Sequence, residues 1–258
     1  MHRTTLPDGT GVIVKQRRGV PADFFLAEAR GLAALRAAHA LRVPEVYEVD
    51  EQRIVLEDLG DAPPTADYWR RAGAGLARQH AAFVARFGFD HAGYCGDSPQ
   101  DNTPDEDGWR FFAERRLLPQ MRRAHDTGSI ETSDVAAIEH LCGRLRERIP
   151  RMPPALLHGD LWSGNLHVCA NGEPGLIDAG AVHCGWAEAE LAMLTLFGSP
   201  PSAFFDAYAE HVGLRRDWRA RAPLYNLYHL LNHVNLFGAG YLPALRRALS
   251  ACARDKRR

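Results

Sequence analysis

The chain is short of paired cysteines, of excess charge and of long apolar runs, and each shortage excludes a class of protein. Five cysteines, Cys95, Cys142, Cys169, Cys184 and Cys252, lie scattered with no CxxC pair. An odd, unclustered set predicts reduced thiols in a cytosol rather than a disulfide framework. Thirty-one Lys and Arg residues nearly match thirty-two Asp and Glu, leaving a formal net charge of -1. Bulk electrostatics therefore offer nothing to a nucleic acid. No uninterrupted apolar run approaches a membrane span. The opening MHRTTLPDGT lacks the apolar core of a secretory signal. Internal repeats and low-complexity segments are also missing. Together these absences predict a soluble, cytoplasmic monomer with neither a nucleic-acid nor a membrane partner.

What is present is a globular composition, 46% hydrophobic and 24% charged, which argues against disorder. The 258 residues suffice for one large domain or two small lobes. Residues 11–15 (GVIVK) read as a strand entered through a tight turn at Asp8-Gly9. Residues 22–40 read as a helix, with Phe25, Leu32 and Leu35 available for packing, ended by Val43-Pro44. VPEVYEV at 43–49 and RIVLEDL at 53–59 are β-rich, and GDAPP at 60–64 is the expected linker. Beyond it, helices are expected over 68–87, 109–125, 133–149 (N-capped by Ser133), 188–197 and 202–212, and from Arg219 onward. Residues 88–108 read as a loop. The chain divides into a small β-rich lobe, 1–60, expected to bind nucleotide, and a larger helical lobe, 61–258, expected to carry catalysis and substrate. This α+β, bilobal plan resembles that of protein-kinase-like phosphotransferases.

One stretch, LLHGDLWSGNLHVCANGEPGLIDAG at 156–180, interleaves Asp160, Asn165 and Asp178 with short apolar runs. Residues 166–169 and 175–177 read as two strands joined around Asn171-Gly172, a common turn pair. A hairpin folds its outer ends together, so Asn165, entering, meets Asp178, leaving. Asp160 lies on the loop that feeds the same end. Magnesium takes oxygen ligands and keeps several waters, so the Asn165 amide and the Asp178 carboxylate suffice to hold it. Asp160 fits the group that orients an attacking hydroxyl and takes its proton, with His158 bracing the loop. An isolated HGD would be only a polar turn; the whole spacing points to phosphoryl transfer, which needs positioning and charge neutralisation.

Lys15, at a strand end, and Glu28, thirteen positions later in the next helix, match the pair with which kinases hold nucleotide phosphates. Glu57, Asp58 and Leu59 lie where a hinge offers backbone groups to adenine, though the two carboxylates would serve equally as solvated edge charges. Gly159 stands where protein kinases carry an arginine that reads a phosphorylated activation loop. Only nine residues separate Asp178 from Glu188, too few for such a loop. A small-molecule or side-reaction substrate is therefore expected, not a protein-kinase consensus peptide.

Six segments carry a more specific likeness: EARGLAAL at 28–35, FGFDHAGYCGDSPQDN at 87–102, WRFFAERRLLPQ at 109–120, HGDLWSGN at 158–165, ELAMLTLFG at 190–198 and YNLYHLLNHVNLFGAGY at 225–241. Over nearly its whole length the chain resembles the fructosamine kinase (ketosamine-3-kinase) family, relatives of aminoglycoside and choline kinases. The resemblance implies ATP- and magnesium-dependent phosphorylation of the 3-hydroxyl of ketoamines such as fructosamine or ribulosamine adducts, which destabilises the adduct and frees the amine. It makes Asp160 the base, Asn165 and Asp178 metal ligands, Lys15 and Glu28 the phosphate clamp, and Trp162 a candidate wall of the sugar site. The alternatives it leaves are a kinase of another small alcohol, aminoglycoside-, choline- or homoserine-like, and a weakly active or inactive relative.

The last alternative rests on departures from the family pattern. A Gly/Ser loop over the phosphates is expected before the clamp lysine, yet only fourteen residues precede Lys15, and Asp8-Gly9-Thr10-Gly11 reads as a later hairpin turn. Asp-Pro-Ala is replaced by Asp178-Ala179-Gly180. Arg-Glu-x-Asp is replaced by Ala187-Glu188-Ala189-Glu190, which lengthens by one methylene the carboxylate expected to support the catalytic loop.

Other groupings fit function less well. His229 and His233 are spaced like zinc ligands on a helix, but Leu230 stands where HExxH has its glutamate. A lobe-packing or substrate-wall role is expected for His229. Asp101, Asp105, Glu106 and Asp107 lack EF-hand spacing and read as a solvated, mobile loop. The basic tail at 254–258 is expected to be solvated.

Overall fold

The alternation in GVIVK builds a strand, and it recruits one neighbour that apolar patterning does not announce. The computed structural model describes residues 1–254; residues 255–258, most of the basic tail, lie outside the described residues. β1 (His2–Thr5) is exposed along its length and runs antiparallel to β2 (Gly11–Gln16). The turn between them forms at Asp8-Gly9, where Gly9 takes φ +91° and Asp8 Oδ1 accepts the Thr10 N–H at 2.9 Å. β3 (Val46–Val49) and β4 (Arg53–Glu57) complete a sheet ordered β1-β2-β4-β3. α1 (Phe24–Ala37) packs on it, burying Phe25, Leu32 and Leu35 in one cluster with Ile54 and Leu56.

After the linker, α2 (Tyr68–Ala81) stops short of the expected Phe87. Ala82 turns extended, and Phe87 and Gly88 are drawn into bridges with Asp105 and Cys184. The segment read as a loop contains a hairpin, β5 (Gly93–Cys95) and β6 (Ser98–Gln100), turned at Gly96 with φ +60°. Strands this short, one holding Pro99, give no usable periodicity. α3 (Gly108–Phe112), a π-turn (Ala113–Leu117) and α4 (Leu118–Asp126) follow as one helical run. The acidic loop before it stays solvated at Asp101 and Glu106 but is pinned by its partners: Asp101 pairs with Arg115, Asp105 with Arg110, and Asp107 caps α3.

The expected 133–149 helix is two, α5 (Thr132–Cys142) and α6 (Leu145–Arg148). Its cap is Glu131 rather than Ser133, because Glu131 and Asp134 form a reciprocal capping box. β7 (Ala155–Leu157) leads to the hairpin β8 (Leu166–Val168) and β9 (Pro174–Leu176), and β10 (His183–Gly185) returns to pair with β7. α7 (Ala187–Leu194), α8 (Ser202–Val212), α9 (Trp218–Phe237) and α10 (Leu242–Arg254) close the helical lobe. The fold is thus bilobal and protein-kinase-like, with one apolar cluster running from Phe25 through Leu161 to Tyr225. No described helix is long and apolar enough to cross a membrane.

Candidate active site

The hairpin does what its spacing predicts. Leu166 pairs with Leu176, and the Ile177 N–H donates to Asn165 O at 3.2 Å, so Asn165 and Asp178 meet at the open end. Gly172, in the turn, takes φ +77°. The hairpin is moored to the lobe junction: the Leu176 N–H donates to Arg42 O and the Ala170 N–H to Leu59 O, both at 2.8 Å. On the loop after β7, His158 Nε2 donates to Ile177 O at 2.7 Å, the expected brace, and Asn165 Nδ2 donates to Asp160 O at 2.8 Å. Lys15, Glu28, Asp160, Asn165 and Asp178 line one cleft of about 410 Å³.

Lys15 Nζ lies 2.5 Å from Glu28 Oε1 and also contacts the Asp178 carboxylate, so the two residues read as a phosphate clamp are in contact. Its position depends on Gly31, one helical turn beyond Glu28, where a Cβ would stand 2.0 Å from Ala179 O. Only glycine lets α1 approach the loop after Asp178 so closely. Gly31→Ala should therefore cost about 1–3 kcal/mol of stability by overpacking and weaken nucleotide binding as Glu28 shifts. Thermal unfolding and nucleotide titration check this; a variant unchanged in both would refute it. A similar approach explains Gly159, which has φ +83° and would put a Cβ 2.0 Å from Ala181 O, leaving no room for an arginine.

Glu190 reaches the loop that carries Asp160 despite its added methylene. It accepts the N–H groups of His158 at 3.1 Å and Gly159 at 2.8 Å, and His80 Nε2 lies 3.0 Å away. Burial pushes the Glu190 carboxyl up, but the His80 hydrogen bond and charge, with those of His158 and Gly159, hold it below its ordinary range. Asp160 moves the other way. Burial lifts it above the usual carboxylate value, with Glu190 adding to the rise and His158 and His233 opposing it.

Two further cavities flank the cleft. One, of about 440 Å³, is lined by Ile13, Pro44, Leu56, Leu59 and Ile177 and shares Lys15 and Asp178 with the cleft. At the hinge, the Glu57 N–H donates to Glu45 O and the Asp58 N–H to Gly11 O, whereas the Leu59 N–H has no partner among the described residues. The two hinge carboxylates are not simply solvated, since Glu57 pairs with Arg42 and Asp58 with Arg3. The other cavity, of about 350 Å³, shares Asp160 and Trp162 with the cleft and is walled by Phe197, His233, Phe237 and Tyr241. Trp162 is 41% exposed.

Of the two roles expected for His229, packing and substrate wall, its position fits packing. It is buried behind the aromatic wall, lining an inner void with Arg116 and His183, and burial drives its pKa down to about 3. His233, one turn later, faces the cavity between Phe197 and Tyr241, with ring centroids 4.9 and 4.8 Å away. Helical spacing alone could not say which of the two faced outward. Sequence reasoning also missed the β5–β6 hairpin as a cross-lobe contact: Asp97 pairs with Arg17, and Tyr94 donates to Asp23 at 2.5 Å.

The family model described as fructosamine kinase matches residues 4–255. A protein named probable ketoamine kinase from Synechocystis sp. is 38% identical over 247 residues, covering 93% of this chain and 82% of its own length. The chloroplastic protein-ribulosamine 3-kinase of Arabidopsis thaliana is 33% identical over 244 residues, covering 91% and 73%. A crystal structure from Thermobifida fusca, assigned provisionally as a fructosamine-3-kinase, matches with a TM-score of 0.91 at 40% identity, covering 98% of this chain and 88% of that one.

Proposed function

This chain belongs to the fructosamine kinase family, and from that premise we propose how its site works. It is a phosphotransferase with a hydroxyl acceptor, and it phosphorylates ketoamines, free or protein-bound, in deglycation. ATP is the donor, with adenine in the cavity beside Leu59 and the phosphates beside Lys15 and Glu28. The sugar occupies the aromatic-walled cavity. The observation that carries this reading is that Asp160 lines both the cleft of Lys15, Asn165 and Asp178 and the aromatic-walled cavity.

The donor set suits magnesium. Asn165 spends its amide nitrogen on Asp160 O, which reserves its oxygen for a cation beside the Asp178 carboxylate. When bound there, magnesium supplies charge neutralisation to the nucleotide phosphates. Asp160 takes the proton of the sugar 3-hydroxyl as its oxygen bonds to the γ-phosphorus; the bond to the β–γ bridging oxygen breaks, and ADP leaves with that electron pair. Glu190 and His158 hold the Asp160 loop in register, and Trp162 packs against the acceptor.

Coupled ADP release should appear with ribulosamines or fructosamines. Turnover of an aminoglycoside or homoserine with ketoamines inert would overturn the substrate reading. The base must be ionised, and burial raises Asp160 above its ordinary 3.8. Activity should therefore fall, as pH drops, on an acidic limb lying above 3.8. A kcat/KM profile that stays flat down to that value would remove Asp160 as the base. We also assign residues 1–60 to nucleotide binding and 61–258 to catalysis and acceptor binding, in a monomer working in the cytoplasm.

A further inference from the structure

We propose that Cys95, Asp160 and His229 form a second cation site, for a thiophilic divalent ion such as zinc, whose occupancy silences the enzyme. The three residues come from the end of β5, the loop after β7 and the middle of α9. One ligand atom from each lies within 4.8 Å of the other two, the one such group of three among the described residues. Cys95 Sγ and His229 Nδ1 are 4.0 Å apart. Sulfur and nitrogen on one tetrahedral zinc stand roughly 3.6 Å apart, from bond lengths near 2.3 and 2.0 Å, so that pair needs only a few tenths of an ångström of closure, and the Asp160 carboxylate, within 4.8 Å of both, swings in by up to about an ångström more to complete the site.

The donor types set it apart from the magnesium position. Asn165 and Asp178 offer hard oxygen atoms only, whereas a thiolate and an imidazole select zinc or cobalt over magnesium. Access comes from the acceptor side, because Cys95 and Asp160 both line the aromatic-walled cavity, leaving room there for a fourth ligand such as water. Asn232 Nδ2 donates to Cys95 O at 3.1 Å and lies 3.3 Å from Sγ, which fixes the thiol's direction. His229 is held neutral by burial, so its lone pair needs no deprotonation. Cys95 carries its proton, and binding exchanges it: the S–H bond breaks, the S–Zn bond forms and H⁺ leaves to solvent, with no change of oxidation state.

The silencing rests on the reading of Asp160 as the base, since a carboxylate that ligates zinc cannot take the hydroxyl proton. The metal site itself does not rest on that reading. The test uses the full chain with magnesium in excess. Cobalt(II) titration should give one equivalent of a thiolate-to-cobalt charge-transfer band, displaced by zinc, absent in Cys95→Ser and weakened in His229→Gln. Zinc should inhibit ADP release competitively with the ketoamine, and Cys95→Ser should raise the half-inhibiting zinc concentration, measured against that variant's own rate, by about tenfold or more. Absence of the band, or a band that survives Cys95→Ser, overturns the site. A zinc-displaceable band with undiminished turnover overturns the silencing. Inhibition relieved by magnesium alone would place zinc at Asn165 and Asp178 and overturn the proposal. The spectroscopic arm needs no turnover, so its failure is distinct from any failure of the base assignment.

Discussion

Asp160→Asn should lower kcat by about two to four orders of magnitude, the range that a positioned general base supplies, while nucleotide affinity stays close to that of the parent. The separation is expected because the loop is held by groups other than this carboxylate. Asn165 bonds the Asp160 backbone oxygen, and Glu190 takes the N–H groups of His158 and Gly159. Asparagine keeps the side-chain volume and removes only the proton acceptor. Steady-state kinetics with calorimetric titration of nucleotide decide the matter. Near-normal turnover would strip Asp160 of its role, and loss of nucleotide binding would show the residue to be architectural instead.

Asp178→Asn should abolish the strengthening of nucleotide binding by magnesium and lower kcat/KM by about 10²–10³-fold, as losing one preorganised electrostatic group does. Asparagine is the informative choice because Asp178 has φ +61°, a left-handed conformation that Asp and Asn tolerate far better than other side chains. Alanine would mix backbone strain with lost charge. The change also frees Lys15 from its contact with the carboxylate, leaving Glu28 as its partner. Nucleotide titrations with and without magnesium should then coincide. If magnesium still tightened binding in the variant, the cation would have to sit elsewhere.

The β8–β9 hairpin was legible in the sequence because it is local. A turn pair and two apolar runs bring Asn165 to Asp178 without help from the rest of the chain. Lys15 and Glu28 were legible for a similar reason, being one strand and one helix apart. Of the aromatic-walled cavity only Trp162 was legible, because Phe197, His233, Phe237 and Tyr241 join it only through the docking of α7, α9 and the loops around them. For His229 the sequence left packing and substrate wall open, because one helical turn separates it from His233 and the neighbouring helices decide which is covered. Glu190 looked like a departure, yet its longer arm still reaches both loop N–H groups; the fit depends on how α7 packs against the loop after β7, which no local pattern states. The β5–β6 hairpin escaped because Tyr94 and Asp97 are held by partners distant in sequence, Asp23 and Arg17.

The crowded glycines and the open aromatic rim divide the molecule by mutational tolerance. Gly31 and Gly159 press against main-chain oxygens that cannot retreat, so drift is barred there. Phe197 and Phe237, 43% and 65% exposed, border open space and hold no carboxylate or amide of the phosphoryl-transfer machinery. Descendants of this chain can therefore vary the aromatic rim, residue by residue, while the crowded glycines stay fixed.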